Sequence, residues 1–175
     1  MKKENIYNGQ EKSVREDYFI GEVIIKEILG NNNSLEQEMY HVTFNNGALT
    51  SIHLHESEQI LIATKGTGIV VLLNTNDIEN FDIDACEMEI LKEGDVVCIP
   101  SNRLHFHGSL PNSNFSHIAY RKKHISNSKN EKIAENKWES DILEDLYNHD
   151  NKKISLFKEK LRSNISKKLQ SIIVR

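Results

Sequence analysis

Apolar and polar residues alternate in short runs through the first two thirds of the chain, the pattern expected of β-strands. An apolar-rich stretch runs from Phe19 to Leu29 and is followed by the polar residues 30–33. Alternation from Tyr40 to Phe44 leads into Asn45–Gly47, whose Asn-Gly pair favours a hairpin turn. About eight to ten such strands fit between residues 19 and 121, which predicts an all-β sandwich or barrel.

The last third of the chain has a different periodicity. From Ile154 onward, apolar residues recur every three or four positions, which predicts an amphipathic helix of about 20 residues. Asp150 or Asn151 is a suitable cap for its first turn. The apolar face needs a partner surface, either the barrel of the same chain or another subunit, and the sequence does not choose between them. Its members are Phe157, Leu161, Ile165, Leu169 and Ile172.

These patterns divide the chain into three parts. Residues 1–18 are polar, rich in Lys, Glu and Asn, and are expected to form a flexible N-terminal arm. Residues 19–121 are expected to form one barrel domain, since no internal repeat is visible, and residues 122–175 a C-terminal helical extension.

Two histidines on one predicted strand are the first candidates for chemistry. His53 and His55 are one residue apart, and residues so spaced on a β-strand point to the same face. The alternation predicts that Leu49 and Ser51 share this face. The opposite face is predicted to carry Thr50, Ile52 and Leu54.

A carboxamide and a third imidazole complete a possible ligand set. Gln59 opens the next predicted strand, and His105 lies on a distant one. Three imidazole nitrogens and one amide oxygen suit a divalent first-row transition metal. The alternative is a pair of surface or core histidines that merely alternate on a strand.

The spacing of these residues resembles the two sequence motifs of the cupin family. The first motif is matched at Gly47, His53, His55 and Gly66, and Gln59 stands where Glu is usual. The second is matched at Gly94, Pro100 and His105, while Asn102 replaces a Gly and Ser109 an Asn. The resemblance spans roughly residues 19 to 120 and implies an all-β cupin jelly-roll β-barrel, followed here by the C-terminal helical extension.

Four segments are similar to one branch of small single-domain cupins, related to the cupin partner of carboxymuconolactone decarboxylase and including manganese-dependent hydroxynitrile lyases. They are Gln59–Gly66, Gly94–Pro100, His105–Gly108 and Ser116–Ala119. The resemblance implies one divalent transition metal per chain, with manganese or iron favoured and nickel or zinc as alternatives. It places the metal on His53, His55, Gln59 and His105, and puts His107 and His117 in the pocket.

His107 and His117 are the candidate catalytic residues. An unliganded imidazole that titrates near neutrality can serve as a general acid or base beside a metal-bound hydroxyl. Equally, either one can orient a ligand or satisfy a backbone carbonyl. His41, His124 and His149 are expected to be surface histidines.

Composition narrows the location and the partners. No apolar run approaches the roughly 20 residues of a membrane span and no signal segment opens the chain, so a cytoplasmic protein without membrane contact is expected. Cys86 and Cys98 are expected to be unpaired, with Cys98 buried. Residues 1–121 hold 9 Lys and Arg against 18 Asp and Glu, and this acidic body argues against nucleic-acid binding. Residues 122–175 are basic, with 13 against 8, and a solvated helix face is expected there.

These observations favour a metal-dependent cupin enzyme acting on a small oxygen-bearing molecule, with the metal as a Lewis acid in a hydroxynitrile-lyase-like carbon–carbon cleavage. The alternatives are an oxygen-using oxidase or dioxygenase and a non-enzymatic small-ligand-binding cupin. A metal-free isomerase or sugar-binding barrel is disfavoured by the complete ligand set. A homodimer is expected, because exposed sheet edges tend to be paired and most oligomers are symmetric dimers.

Overall fold

The computed structural model describes residues 1–30, 32–122 and 136–173. These residues form strands followed by two helices, with 3-10 turns at Glu16–Tyr18 and Ile83–Ala85. The strands are β1 (Gln10–Glu11), β2 (Phe19–Ile20), β3 (Val23–Leu29), β4 (Gln37–Phe44), β5 (Leu49–Thr50), β6 (His53–Leu54), β7 (Gln59–Leu72), β8 (Glu87–Lys92), β9 (Val96–Ile99), β10 (His105–Ser109), β11 (Phe115–Lys122) and β12 (Lys137–Trp138). The helices are α1 (Glu139–Tyr147) and α2 (Asn151–Ile173).

The strands form one curled antiparallel sheet in the order β1-β3-β4-β11-β7-β10-β5-β2, which confirms the jelly roll. The 14-residue strand β7 connects the two halves: its first part pairs with β9 and β11, and its second part with β8 and β10. The change of partner falls near Gly66, which has φ +78, and a Cβ there would lie 2.1 Å from the carbonyl oxygen of Asn114. Only glycine fits this bend.

The predicted Asn-Gly turn is present between β4 and β5. Asn46 and Gly47 both have positive φ, of 47° and 82°. However, β4 pairs with β3 and β11 while β5 pairs with β2 and β10, so the turn joins strands that are not neighbours and the predicted hairpin is wrong. Asn102, which replaces a motif glycine, is also left-handed at φ 58°, in agreement with the tolerance of Asn for this conformation.

Two apolar clusters lie on opposite sides of the curled sheet. The inner one fills the barrel and includes Val42, Phe44, Leu61, Phe115 and Ala119. The outer one joins the other face of β5, β7 and β10 to the two helices and includes residues such as Ile52, Ile69, Val71, Leu104 and Phe106. The barrel domain is therefore packed on both faces.

The C-terminal helices pack on the barrel of their own chain. Leu143 of α1 and Ile154, Leu161, Ile165 and Leu169 of α2 are buried in the outer cluster. The amphipathic pattern is thus satisfied within one chain, which answers the choice that the sequence left open. The side chain of Asp150 accepts hydrogen bonds from the backbone N–H groups of Lys152 and Lys153, so Asp150 caps α2. The homodimer remains a proposal.

The N-terminal segment is not the flexible arm that the sequence led us to expect, since part of it pairs with the barrel. β1 pairs with β3, and the backbone N–H of Lys12 donates to the carbonyl oxygen of Ile25 at 2.9 Å. Ser51 likewise donates its backbone N–H to Tyr18, at 2.8 Å. Residues 10–18 therefore lie against the barrel and belong to it structurally, while the three-part division itself remains a prediction.

The sequence also predicts an environment for the two cysteines and for three histidines outside the site. Cys86 and Cys98 are unpaired as expected, but Cys98 is exposed, because alternation along β9 turns it outward while Ile99 points into the barrel. His41 is 9% exposed and not a surface residue, and its Nε2 lies 3.2 Å from the hydroxyl of Thr64. His149 is exposed as expected, and His124 lies outside the described residues. Among the described residues, neither helix is long and apolar enough to span a membrane.

Helix packing predicts a clear difference between two leucines of α2. Leu161→Ala should lower the free energy of unfolding by about 2–5 kcal/mol, because it opens a cavity in the outer cluster. Leu156→Ala, at a position that is 68% exposed, is the matched control and should change stability by less than about 0.5 kcal/mol. Urea denaturation measures both. Equal, small effects would show that α2 does not pack on the barrel.

Candidate metal centre

The strand that carries His53 and His55 is interrupted just before them. Both β5 and β6 pair with β10, Leu49 with Gly108 and His53 with His105, so four steps along this strand oppose three along β10 and one residue is extra. Thr50 therefore lies on the cavity side with both histidines, while Leu49 joins the outer cluster. This corrects the prediction that Leu49 shares a face with His53, because a single extra residue reverses the alternation of a strand.

Sheet pairing brings the other candidate residues to the same end of the barrel. His105 is directly opposite His53 in the β6–β10 pair, and His107 follows on the same face of β10. Gln59 begins β7, opposite Arg121 of β11. The four predicted ligands thus come from three strands that converge on one site.

The imidazole rings of this site are in direct contact. Ring nitrogens of His53, His105 and His107 all lie within 4.8 Å of one another, close enough to share one metal ion. The His55 ring centroid is 4.9 Å from that of His53 and 5.4 Å from that of His105. The three-histidine group that meets this distance among the described residues therefore contains His107. The assignment of His55 and Gln59 as ligands remains a prediction.

Backbone carbonyls fix the tautomers of two of these histidines. His53 Nδ1 donates to the carbonyl oxygen of Ser51 at 2.9 Å, and His105 Nδ1 donates to that of Arg103 at 2.8 Å. Since a carbonyl oxygen can only accept, the ring proton must be on Nδ1 in both neutral rings. Each Nε2 then presents a lone pair, the state that a metal ligand requires.

Several buried polar atoms of the site have no hydrogen-bond partner among the described residues. They are Nε2 of His55 and His105, Oε1 of Gln59, Nδ1 of His107 and both ring nitrogens of His117. Leaving such an atom unsatisfied costs about 1–3 kcal/mol. One divalent transition metal, which prefers this mixture of nitrogen and oxygen donors, would satisfy several of them together. The residues present therefore fit a metal ion.

Burial keeps the histidines of the site neutral. It lowers the pKa of His105 to about 4 and that of His117 to about 3. The pKa values of His53, His55 and His107 are also held well below the usual value, first by burial and then by neighbouring imidazoles or, for His55, by the guanidinium of Arg121. Neutral rings keep their lone pairs available, and no proton has to leave before a metal binds.

A cavity of about 350 Å³ opens beside these histidines. Apolar residues from β2, β3 and β4 form one wall, and polar residues from β5, β6, β7 and β10 form the other. The polar wall includes Thr50, His53, His55, Gln59 and His107. A volume of this size and mixed lining is typical of sites for small organic molecules.

His117 lies deeper than the cavity wall. Its ring centroid is 4.9 Å from that of His107 and 5.6 Å from that of Phe44, and its side chain is fully buried. His107 lines the cavity, and His117 is not among the lining residues. The two candidate catalytic residues are therefore adjacent, but only His107 reaches the cavity directly.

Sequence reasoning missed three residues of the site, namely Arg121, Asn136 and Trp138. The alternation of His117, Ala119 and Arg121 along β11 was a signal for the first, because Ala119 and Arg121 both line the cavity. Asn136 and Trp138 come from the C-terminal extension, where no pattern linked them to the barrel. The indole ring of Trp138 stacks on His53, with centroids 4.4 Å apart.

Comparison with known proteins identifies the fold. A protein-family model described as Cupin matches residues 28–155. A cupin-like protein from Thermotoga maritima is 30% identical, with a TM-score of 0.56 over 74% of this chain and 84% of that one. The polyketide cyclase RemF from Streptomyces resistomycificus is 17% identical, with a TM-score of 0.56 over 70% and 79% of the two chains. No curated protein sequence matches.

Metal analysis of histidine variants tests the site. Protein purified without chelator should carry close to one transition-metal ion per chain, and His53→Ala or His105→Ala should remove it, because both belong to every ligand set considered. If His55 is the third histidine ligand, His55→Ala loses metal and His107→Ala keeps it. The reverse result would assign the site to His53, His105 and His107. Inductively coupled plasma mass spectrometry gives the metal content.

His149→Ala, at an exposed position, is the control and should bind metal as the wild type does. The metal centre would be excluded if the double variant of His53 and His105 retained the wild-type content.

Proposed function

Because the chain belongs to the cupin family, we propose that it is a metal-dependent enzyme that acts on a small oxygen-bearing molecule. The observation that carries this proposal is a group of buried nitrogen and oxygen atoms that have no partner in the described part of the chain, beside a cavity of about 350 Å³. Burying so many unsatisfied donor atoms at one place lowers the stability of the fold. Coordination of a metal by these atoms would offset that loss and is the function we assign to them.

In this proposal His53, His55, Gln59 and His105 hold one divalent metal, with manganese or iron preferred and nickel or zinc as alternatives. When bound, the metal supplies Lewis-acid polarisation of a substrate oxygen. Gln59 contributes a neutral carboxamide where the family motif usually has a carboxylate. Because all four ligands are neutral, they leave the positive charge of the metal undiminished. This favours the Lewis-acid role.

The apolar wall of the cavity binds the carbon skeleton of the substrate. Ile25, Val42 and Phe44 present side chains without hydrogen-bonding groups. They exclude water from one side of the site and leave the histidines as the surface that a hydroxyl or carbonyl group can approach. The substrate is thereby oriented with its oxygen toward His53 and His55, which line the cavity.

His107 and His117 take part in proton transfer from the substrate hydroxyl. The neutral imidazole of His107 lines the cavity and can take a proton from a substrate hydroxyl. His117 contacts His107 from behind. The depressed pKa of His117, about 3, makes it a weak base when it acts alone. Its contribution therefore depends on its position next to His107.

The reaction we propose is the cleavage of a cyanohydrin. The hydroxyl proton passes to the base, a carbonyl forms on the same carbon, and the carbon–carbon bond breaks with its electron pair leaving on cyanide. Cyanide then takes up the proton and leaves as hydrogen cyanide, so no oxidant or reductant is consumed. The similarity of Gln59–Gly66 and Gly94–Pro100 to the hydroxynitrile lyase branch supports this choice.

A substrate assay tests the proposal. Manganese-loaded protein should release an aldehyde from an aromatic or aliphatic cyanohydrin, and metal-free protein should not. Gln59→Glu should bind manganese more tightly and cleave more slowly, because the added negative charge weakens polarisation of the substrate oxygen. Isothermal titration gives the affinity, and aldehyde absorbance gives the rate. Unchanged affinity and rate in this variant would show that Gln59 is not a ligand.

The same assay separates the alternatives. Consumption of dioxygen by metal-loaded protein without aldehyde release would replace the lyase by an oxidase or dioxygenase. Tight binding of small molecules without turnover of any would indicate a non-enzymatic binding protein.

A variant of His117 tests proton transfer. His117→Ala should keep the fold and the metal but lower kcat by about 10²-fold or more, the usual size of a general acid–base contribution, because the base His107 loses the imidazole that packs against it. Leu104→Ala, a buried substitution in the outer cluster, controls for loss of packing and should lower stability without a comparable loss of kcat. Full activity of the His117 variant on the identified substrate would assign this histidine a structural role.

A further inference from the structure

A short strand from the C-terminal extension completes the site. In β12, Lys137 pairs with Leu54 and Trp138 pairs with His53 of β6. Trp138 is held between two rings, stacked on Tyr18 at 4.1 Å and on His53 at 4.4 Å. The residue just before β12, Asn136, lines the cavity together with Trp138. The extension therefore reaches the candidate metal ligands as well as the outer face of the barrel.

Asn136 is in contact with the back of the His55 ring. Its side-chain oxygen lies 2.6 Å from His55 Nδ1. Arg121 Nη1 lies 2.6 Å from the same nitrogen and also contacts the Asn136 oxygen. Arg121 is fixed in this position by Glu38, which accepts hydrogen bonds from Nε at 2.9 Å and from Nη2 at 2.7 Å.

These contacts leave two possible positions for the ring proton of neutral His55. Guanidinium groups do not lose their proton in proteins, so Arg121 can only donate. If it donated to Nδ1, the ring proton would be on Nε2, and Nε2 would have no lone pair for a metal. If Nδ1 donates to the oxygen of Asn136, Nε2 is free to bind. The Asn136 oxygen can accept from Arg121 and His55 together, because a carbonyl oxygen has two lone pairs.

We infer that Asn136 is a positioning residue that keeps the ring proton of His55 on Nδ1 and so makes Nε2 a metal ligand. This rests on the proposed function, in which His55 binds the metal. His53 and His105 use backbone carbonyls of their own strands for the same purpose. His55 instead uses a side chain that is 81 residues away in the sequence. The C-terminal extension thereby controls metal binding by the barrel.

Cobalt(II) binding to variants of Asn136 tests the inference. Asn136→Leu keeps a similar volume but removes the acceptor, and it should weaken Co²⁺ binding by about 10–100-fold, the usual cost of losing such a partner. The visible absorption of the bound Co²⁺ should change as well, because one nitrogen ligand is lost. Asn136→Asp restores an acceptor and should bind within a few-fold of the wild type. Lys137→Ala, exposed on the same strand, should behave as the wild type.

The Asp variant separates positioning from folding. If Asn136→Leu and Asn136→Asp weaken binding equally, or if Asn136→Leu leaves both affinity and spectrum unchanged, the inference is wrong. Thermal unfolding of the metal-free variants identifies any general loss of structure, and a folded Leu variant with weak binding supports the inference.

His55→Ala distinguishes failure of the inference from failure of the proposed ligand set. If His55→Ala binds Co²⁺ with wild-type affinity, His55 is not a ligand, and both are overturned. If His55→Ala binds weakly while Asn136→Leu binds normally, the ligand set stands and only the role of Asn136 is overturned.

Discussion

The structure depends on the burial of imidazole rings, four of which carry a ring nitrogen without a partner among the described protein groups: those of His55, His105, His107 and His117. His53, His55, His105, His107 and His117 are each at most 5% exposed. Desolvation keeps their pKa values low, so the rings are neutral and their lone pairs are available at neutral pH. A barrel interior would ordinarily be filled with apolar side chains, which cost nothing to desolvate. The free-energy cost of desolvating these imidazole rings is offset if one ligand binds several of their nitrogens at once.

The rest of the fold supports this arrangement from two sides. The sheet pairing of β6, β7 and β10 sets the histidines opposite one another, and backbone carbonyls orient two of the rings. The helices cover the outer face of the same strands and bury residues such as Leu104 and Phe106 that lie next to His105. Ligand positions on strands packed on both faces are more rigid than positions on loops. β12 then adds side chains from the extension to the rim of the cavity.

Much of this could be predicted from the sequence. The strand pattern predicted a sandwich or barrel, and the resemblance of the glycine and histidine motifs to the cupin family specified the jelly roll. The period of Ile154, Leu161 and Ile165 predicted the buried face of α2. The predicted faces of Leu49 and Thr50 were wrong, because alternation alone does not reveal a break in a strand. Cys98 and His41 were assigned to the wrong environment because apolar runs and single histidines do not show which way a strand faces.

Asn136 and Trp138 could not be predicted for a different reason. Their positions depend on a pairing between β12 and β6 that joins residues more than 80 apart in the sequence, as in the contact of His55 with Asn136. Short strands of two residues carry no periodicity that would reveal such a pairing. The contribution of Asn136 and Trp138 to the site is thus visible only in the tertiary structure.

Anomalous diffraction from crystals of the manganese-loaded protein tests the central claim most directly, because it locates the metal without reference to activity. The account predicts one anomalous peak per chain in the barrel, within coordination distance of Nε2 of His53 and His105, with His55 Nε2 and Gln59 Oε1 completing the protein ligands. A fully loaded crystal without a peak at His53 and His105 would contradict it.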